Sequence, residues 1–225
     1  MPRPRLTLLL TLAIIASAHA EKPRKPIPAS PAGTYAMHYT VGSVTIAAEP
    51  GDLPETRPNT RLDYFGHGML PVRIIVTNNG DQPLTLDDAR IHLITADNTI
   101  LPAATLDELQ RRLFTMASAT GHKVPLPLPI PVPITVGKKN INKNILADDT
   151  DFGFPTTTVA PHTTVAGYLY YDMQTTDGDN SSTALLTHAT LELRKVRYAA
   201  DAGALSGQAL DSFEIPLHPT AAPKP

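Results

Sequence analysis

Leu70, Val72, Ile74 and Val76 occupy every second position of Met69–Asn78, and Ile75 is the only large aliphatic residue in the opposite phase. Successive side chains leave a strand on opposite faces, so a period of two predicts a strand with one buried face. The same alternation recurs along the chain. Met37, Tyr39 and Val41 show it, and after Gly42-Ser43 it resumes with Val44 and Ile46. This stretch is either one bulged strand or two short ones. Ala89, Ile91, Leu93 and Thr95 repeat the pattern. So do Val165, Gly167, Leu169 and Tyr171, set against Ala166, Tyr168 and Tyr170. Ala189, Leu191 and Leu193, then Phe213, Ile215 and Leu217, complete the series. Asn78-Asn79-Gly80-Asp81, Asp97-Asn98 and residues 177–182 supply turns between strands. Asn and Gly tolerate the positive φ that tight turns need. Short strands at such spacing predict an all-β fold with two antiparallel sheets packed face to face. We expect one domain over residues 34–218, each half of the chain forming one sheet.

Three segments depart from this pattern. Thr105 and Glu108 form a capping box ahead of an apolar stripe of Leu106, Leu109, Leu113, Phe114, Met116 and Ala117, which predicts a helix over residues 105–117. Residues 124–136 (VPLPLPIPVPITV) place proline at 125, 127, 129, 131 and 133, with aliphatic residues between. No two of these prolines stand three apart, so the PxxP ligand pattern is missing. In an extended chain this spacing deletes every N–H along one edge and leaves the other edge intact. The segment is a polyproline-like surface strap, a one-sided edge strand or a partner-recognition element. Residues 137–155 read as a long loop, in which Lys138, Lys139 and Lys143 can pair with Asp148, Asp149 and Asp151.

The termini point to export. Arg3 and Arg5 precede an apolar run of eleven residues, Leu6–Ala16, and Ala18-His19-Ala20 is a small-x-small site. A bilayer span needs about 20 residues, so residues 1–20 read as a signal peptide cleaved after Ala20. No transmembrane segment is expected after cleavage. Residues 21–33 hold four prolines and read as an exposed linker, and residues 219–225 as a flexible tail. The chain has no Cys. Stability must therefore come from burial and sheet hydrogen bonds, and an export route without disulfide scaffolds fits a bacterial periplasm or exterior. The net charge is −2, and it moves to −4 when Arg3 and Arg5 are lost. That argues against nucleic acid as a partner.

The candidate chemistry is thin. No Ser sits in a Gly-x-Ser-x-Gly elbow, and no His belongs to an HxH or HxxxH pair. Asp177, Asp179 and Ser181 have the spacing of a calcium loop, but Ser182 and His188 stand where that loop needs Gly and Glu. Asp177 and Asp179, or Asp148, Asp149 and Asp151, remain candidates for an irregular oxygen site. Tyr168 and Tyr170 share a strand face and would form a sugar-stacking platform if exposed. No cofactor is expected.

Leu70 to Ile100 (LPVRIIVTNNGDQPLTLDDARIHLITADNTI) resembles the early hairpins of immunoglobulin-like sandwich modules in exported bacterial proteins. An aliphatic strand there runs into an Asn-Gly turn and a Pro-Leu return. Residues 168–173 and 213–217 resemble the later strands. The chain lacks the Cys…Trp…Cys core of antibody-type domains. The resemblance implies an immunoglobulin-like β-sandwich, with the helix and the proline segment as insertions, outside the cytoplasm. It implies no site residues. The resulting expectation is a non-catalytic exported protein acting through contacts with another envelope or secreted protein. A carbohydrate- or Ca²⁺-binding module comes second, and a hydrolase without a recognisable motif third.

Overall fold

The computed structural model describes residues 25–119, 136–173, 186–199 and 207–217. The expected signal peptide at residues 1–20, the proline run up to residue 135, Asp177, Asp179 and the expected tail at 219–225 lie outside the described residues. Within them the chain is a set of antiparallel sheets with two helices.

The first sheet has four strands: β1 (His38–Val41), β2 (Val44–Pro50), β3 (Met69–Asn78) and β8 (Thr163–Asp172), in that order across the sheet. Tyr35–Ala48 resolves as two strands, because Gly42 takes φ +57° and closes a two-residue turn between Val41 and Val44. A second four-stranded sheet runs β11 (Phe213–Pro216), β9 (Thr190–Arg194), β5 (Arg90–Ile94), β6 (Ile100–Pro102). A small third sheet joins β10 (Arg197–Tyr198), β4 (Leu84–Thr85) and β7 (Thr158–Val159). Val72, Ile74 and Val76 from the first large sheet meet Leu93, Leu191, Leu193, Phe213 and Ile215 from the second in one fully buried cluster. The period-two aliphatics therefore face one shared core.

The halves of the chain do not each form a sheet, contrary to expectation. Ten consecutive residues of β3 pair with β8, more than eighty positions later, while β5 pairs with β9. Alternation tells which face of a strand is buried, but carries no information about its partner. The Asn-Gly turn also differs from a simple hairpin. After Asn78 the chain leaves β3 and enters the small sheet, where Leu84 pairs with Val159 and Tyr198. Asn78, fully buried, holds this change of direction. Its Nδ2 donates to the carbonyls of Gln82 (2.8 Å), Val159 and Ala160 (both 3.3 Å), and its Oδ1 accepts from Gly80 N–H (3.0 Å).

Helix α1 (Leu106–Ala119) begins at the expected capping box. Thr105 N–H donates to Glu108 Oε2 (2.7 Å), and Glu108 N–H donates back to Thr105 Oγ1 (3.3 Å). Thr105→Ala is expected to cost about 1 kcal/mol in urea denaturation, the usual value of a lost N-cap. The bonds from Thr105 hold the Glu108 carboxyl below its ordinary pKa. A lowered carboxylate pKa stabilises the fold above the unfolded pKa and stops doing so as pH falls through the folded value. Acid should thus fray the first turn of α1, which helical circular dichroism across that range would register and Glu108→Gln would remove.

Residues 137–155 are not a loop: α2 (Val136–Phe152) occupies most of them. Ile141, Ile145, Asp148 and Phe152 stand at i, i+4, i+7 and i+11, one helical face. A carboxylate at an interior position hid that stripe, and the Asn-rich composition and acidic last turn oppose helix propensity and the helix dipole. Asp148 and Asp151 both pair with Arg61.

The outer face of the first sheet is covered on both halves. Leu109 and Leu113 of α1 join Ile145 and Phe152 of α2 over Met69, Tyr168 and Tyr170. The other half meets the N-terminal proline segment. Most of residues 25–33 are exposed, as expected of a linker, yet Ala32 is fully buried against Ala47 and Ile75. Its N–H donates to Thr77 Oγ1 (2.8 Å), and Arg73 of β3 donates to the Ile27 carbonyl. The segment is therefore a strap anchored on the sheet. Ala32→Arg should lower stability by about 2 kcal/mol through overpacking and charge burial. It should also make residues 25–37 cleavable in limited proteolysis at a rate the wild type does not show. No helix among the described residues is long and apolar enough to cross a membrane.

Candidate functional site

The densest polar assembly forms where the loop between β2 and β3 meets the last turns of α2. Asp148 is 1% exposed. Arg61 N–H donates to both of its oxygens (2.9 and 3.0 Å), and Arg61 Nη1 adds a bond of 3.0 Å to Oδ1. Leu62 N–H and the Tyr64 hydroxyl each donate to Oδ2 at 3.3 Å. The second guanidinium nitrogen of Arg61 reaches Asp151 at 2.8 Å. A carboxylate offers about four lone-pair sites. Those of Asp148 are taken up by the loop, so it holds residues 61–64 to the helix. Two carboxylates, Asp151 foremost, hold the Arg61 guanidinium above its ordinary pKa.

The tyrosines complete this assembly. Tyr170 stacks on Tyr64 with ring centroids 4.3 Å apart and a 33° tilt, and Phe152 meets Tyr168 edge-on at 6.2 Å. Burial is the main reason the Tyr64, Tyr168 and Tyr170 hydroxyls are pushed above the ordinary phenol pKa. Tyr64 therefore acts only as a neutral donor to Asp148. Tyr168 and Tyr170 are 7% and 9% exposed, so neither ring offers the open stacking surface expected from their shared strand face. The two helices take that place, because the tyrosines lie on the face that α1 and α2 cover.

Beside the cluster the same loop bounds a cleft of about 240 Å³, lined by Arg57, Asn59, Leu62, Asp63, Phe65 and Pro71 among others. Arg57 lies 4.0 Å from the Phe65 ring centroid and donates to the carbonyls of Gly51 (3.3 Å) and Asp52 (2.8 Å). The cation–π contact and these two bonds fix the loop's shape.

The candidate oxygen sites fare differently. Asp148 and Asp151 belong to the arginine cluster, and Asp177 and Asp179 lie outside the described residues. Among the described residues no three His, Asp or Glu side chains are gathered as a metal site would need. The described histidines sit apart. His162 meets Asp81 at 3.0 Å on the surface, and His38 Nδ1 and His67 Nδ1 face the carbonyls of Tyr35 and Asp63. Arg61, Tyr64 and the Asp148 bonds escaped the sequence reading, since Arg61 and Asp148 stand 87 positions apart. The available signal was the single acid within the i, i+4, i+7, i+11 stripe of α2, which demands a buried cation or N–H partner. Comparison with protein-family models, with curated proteins and with solved structures finds no match to this chain.

Proposed function

We propose that this chain is an exported, non-catalytic protein with an immunoglobulin-like β-sandwich that works through contacts with another envelope or secreted protein. The observation that carries the reading is the closure of Asp148. The most elaborate polar cluster among the described residues spends its carboxylate on Arg61, Leu62 and Tyr64, and its neighbouring tyrosines are packed under helices. Such a cluster fixes a loop, and its buried acid is spent on that loop rather than turned toward the neighbouring cleft. The two sheets around one core support the sandwich reading, and the N-terminal pattern of residues 1–20 supports export. Cross-linking in the native envelope followed by purification of the chain is expected to recover the same partner in repeated preparations. Recovery of no recurrent partner, together with a thermal shift on adding a glycan or Ca²⁺, would replace this reading with that of a small-ligand module.

A further inference from the structure

The strap shows how this fold holds a proline-rich segment. Pro26-Ile27-Pro28 runs along the outer face of the first sheet with Ile27 69% exposed. Its hold is through the main chain: the guanidinium of Arg73, whose side chain is only 5% exposed, donates to the Ile27 carbonyl. Beside it lies a groove of about 220 Å³, bounded by the strap, Arg73, Phe152, Pro155 and the Thr164–Tyr168 stretch of β8. Arg73 is the one charged residue in this lining, and its carboxylate partner Glu49 stands at a loose 3.6 Å. The groove is thus of mixed polarity and proline-lined, with one buried donor for the carbonyl of a residue between two prolines. The same tripeptide recurs once in the sequence, as Pro129-Ile130-Pro131, within an uncharged run of alternating prolines.

We propose that this groove is a Pro-x-Pro peptide site and that residues 124–134 of a second copy of the chain occupy it, in exchange with or alongside the strap. Reach favours the second copy. Phe152, at the groove, and Val136 are the two ends of α2, about 24 Å apart at 1.5 Å per residue. The six residues back from Val136 to Ile130 span at most about 21 Å. From an intact α2 the chain's own Pro-Ile-Pro does not extend as far as Phe152, a limit that a second copy does not share. This rests on the protein-contact reading and names the chain itself as one partner.

The test is sedimentation of the full chain across a wide concentration range, with a synthetic peptide of residues 124–136 as competitor. Concentration-dependent dimers that the peptide dissociates are expected. Arg73→Met, and replacement of Pro129-Ile130-Pro131 by Gly-Ser-Gly, should each weaken dimerisation by at least about tenfold, as for a lost hydrogen bond to a charged group. The second change alters no residue of the described sheets and remains informative if Arg73→Met fails to fold. A chain that stays monomeric overturns the inference, as do dimers indifferent to both the peptide and the Gly-Ser-Gly replacement. A recurrent partner of another kind on a monomeric chain would sink this inference and keep the broader contact reading.

Discussion

Asp148→Ala is expected to lower the unfolding free energy by about 3 kcal/mol, the low end of the cost of breaking a buried ion pair by removing one member. Asp151 keeps one bond to Arg61, which places the cost at that end. The substitution strips partners from the Arg61 and Leu62 N–H groups and the Tyr64 hydroxyl together. In a domain of this size the loss corresponds to a fall in Tm of roughly 10 °C. Asp148→Asn retains one acceptor oxygen and should cost about half as much. Urea denaturation of the three proteins measures the series. A loss under about 1 kcal/mol for Asp148→Ala would mean that the loop between β2 and β3 is held by packing alone, and the claim that this cluster is a structural closure would fail.

Gly167→Val should be at least as damaging. A Cβ at this position would lie 2.6 Å from Phe154 N, 2.7 Å from Phe154 Cα and 2.8 Å from the Gly153 carbonyl carbon. These are backbone atoms, which cannot turn aside as a side chain does. The chain passes from α2, which lies on the outer face, to β7 in the small sheet, and crosses close to the core-facing side of β8 at Gly167. Forcing it outward costs about 3 kcal/mol by the measure of overpacked cores. It also uncovers part of the β8 edge, and an exposed strand edge invites intermolecular pairing. Lowered Tm with scattering aggregates on heating is the expected result. Even Gly167→Ala should show it in weaker form, and wild-type stability for Gly167→Ala would contradict the close crossing.

Local pattern carried much of this fold. The extent of β3 and the capping box at Thr105 were legible, because each depends on neighbours in sequence; at Gly42-Ser43 an interruption was legible, but not whether a bulge or a turn fills it. Pairings were not. β3 with β8 and Arg61 with Asp148 join residues more than eighty positions apart, and alternation is silent about such choices. Helix α2 was hidden by its own polar member: a face of Ile141, Ile145, Asp148 and Phe152 looks interrupted until the cation opposite Asp148 is known. The tyrosines show a further limit. Period two places Tyr168 and Tyr170 on one face, but whether that face meets water depends on α2, whose apolar stripe is broken by Asp148.

Both large sheets share one buried core, and they are expected to open together. Native-state hydrogen exchange at single-residue resolution tests it most directly. The slowest amides of β3 and of β9 are expected to share one opening free energy, equal to the global value from urea denaturation. Two well-separated values, with one sheet exchanging through an opening that leaves the other protected, would contradict it.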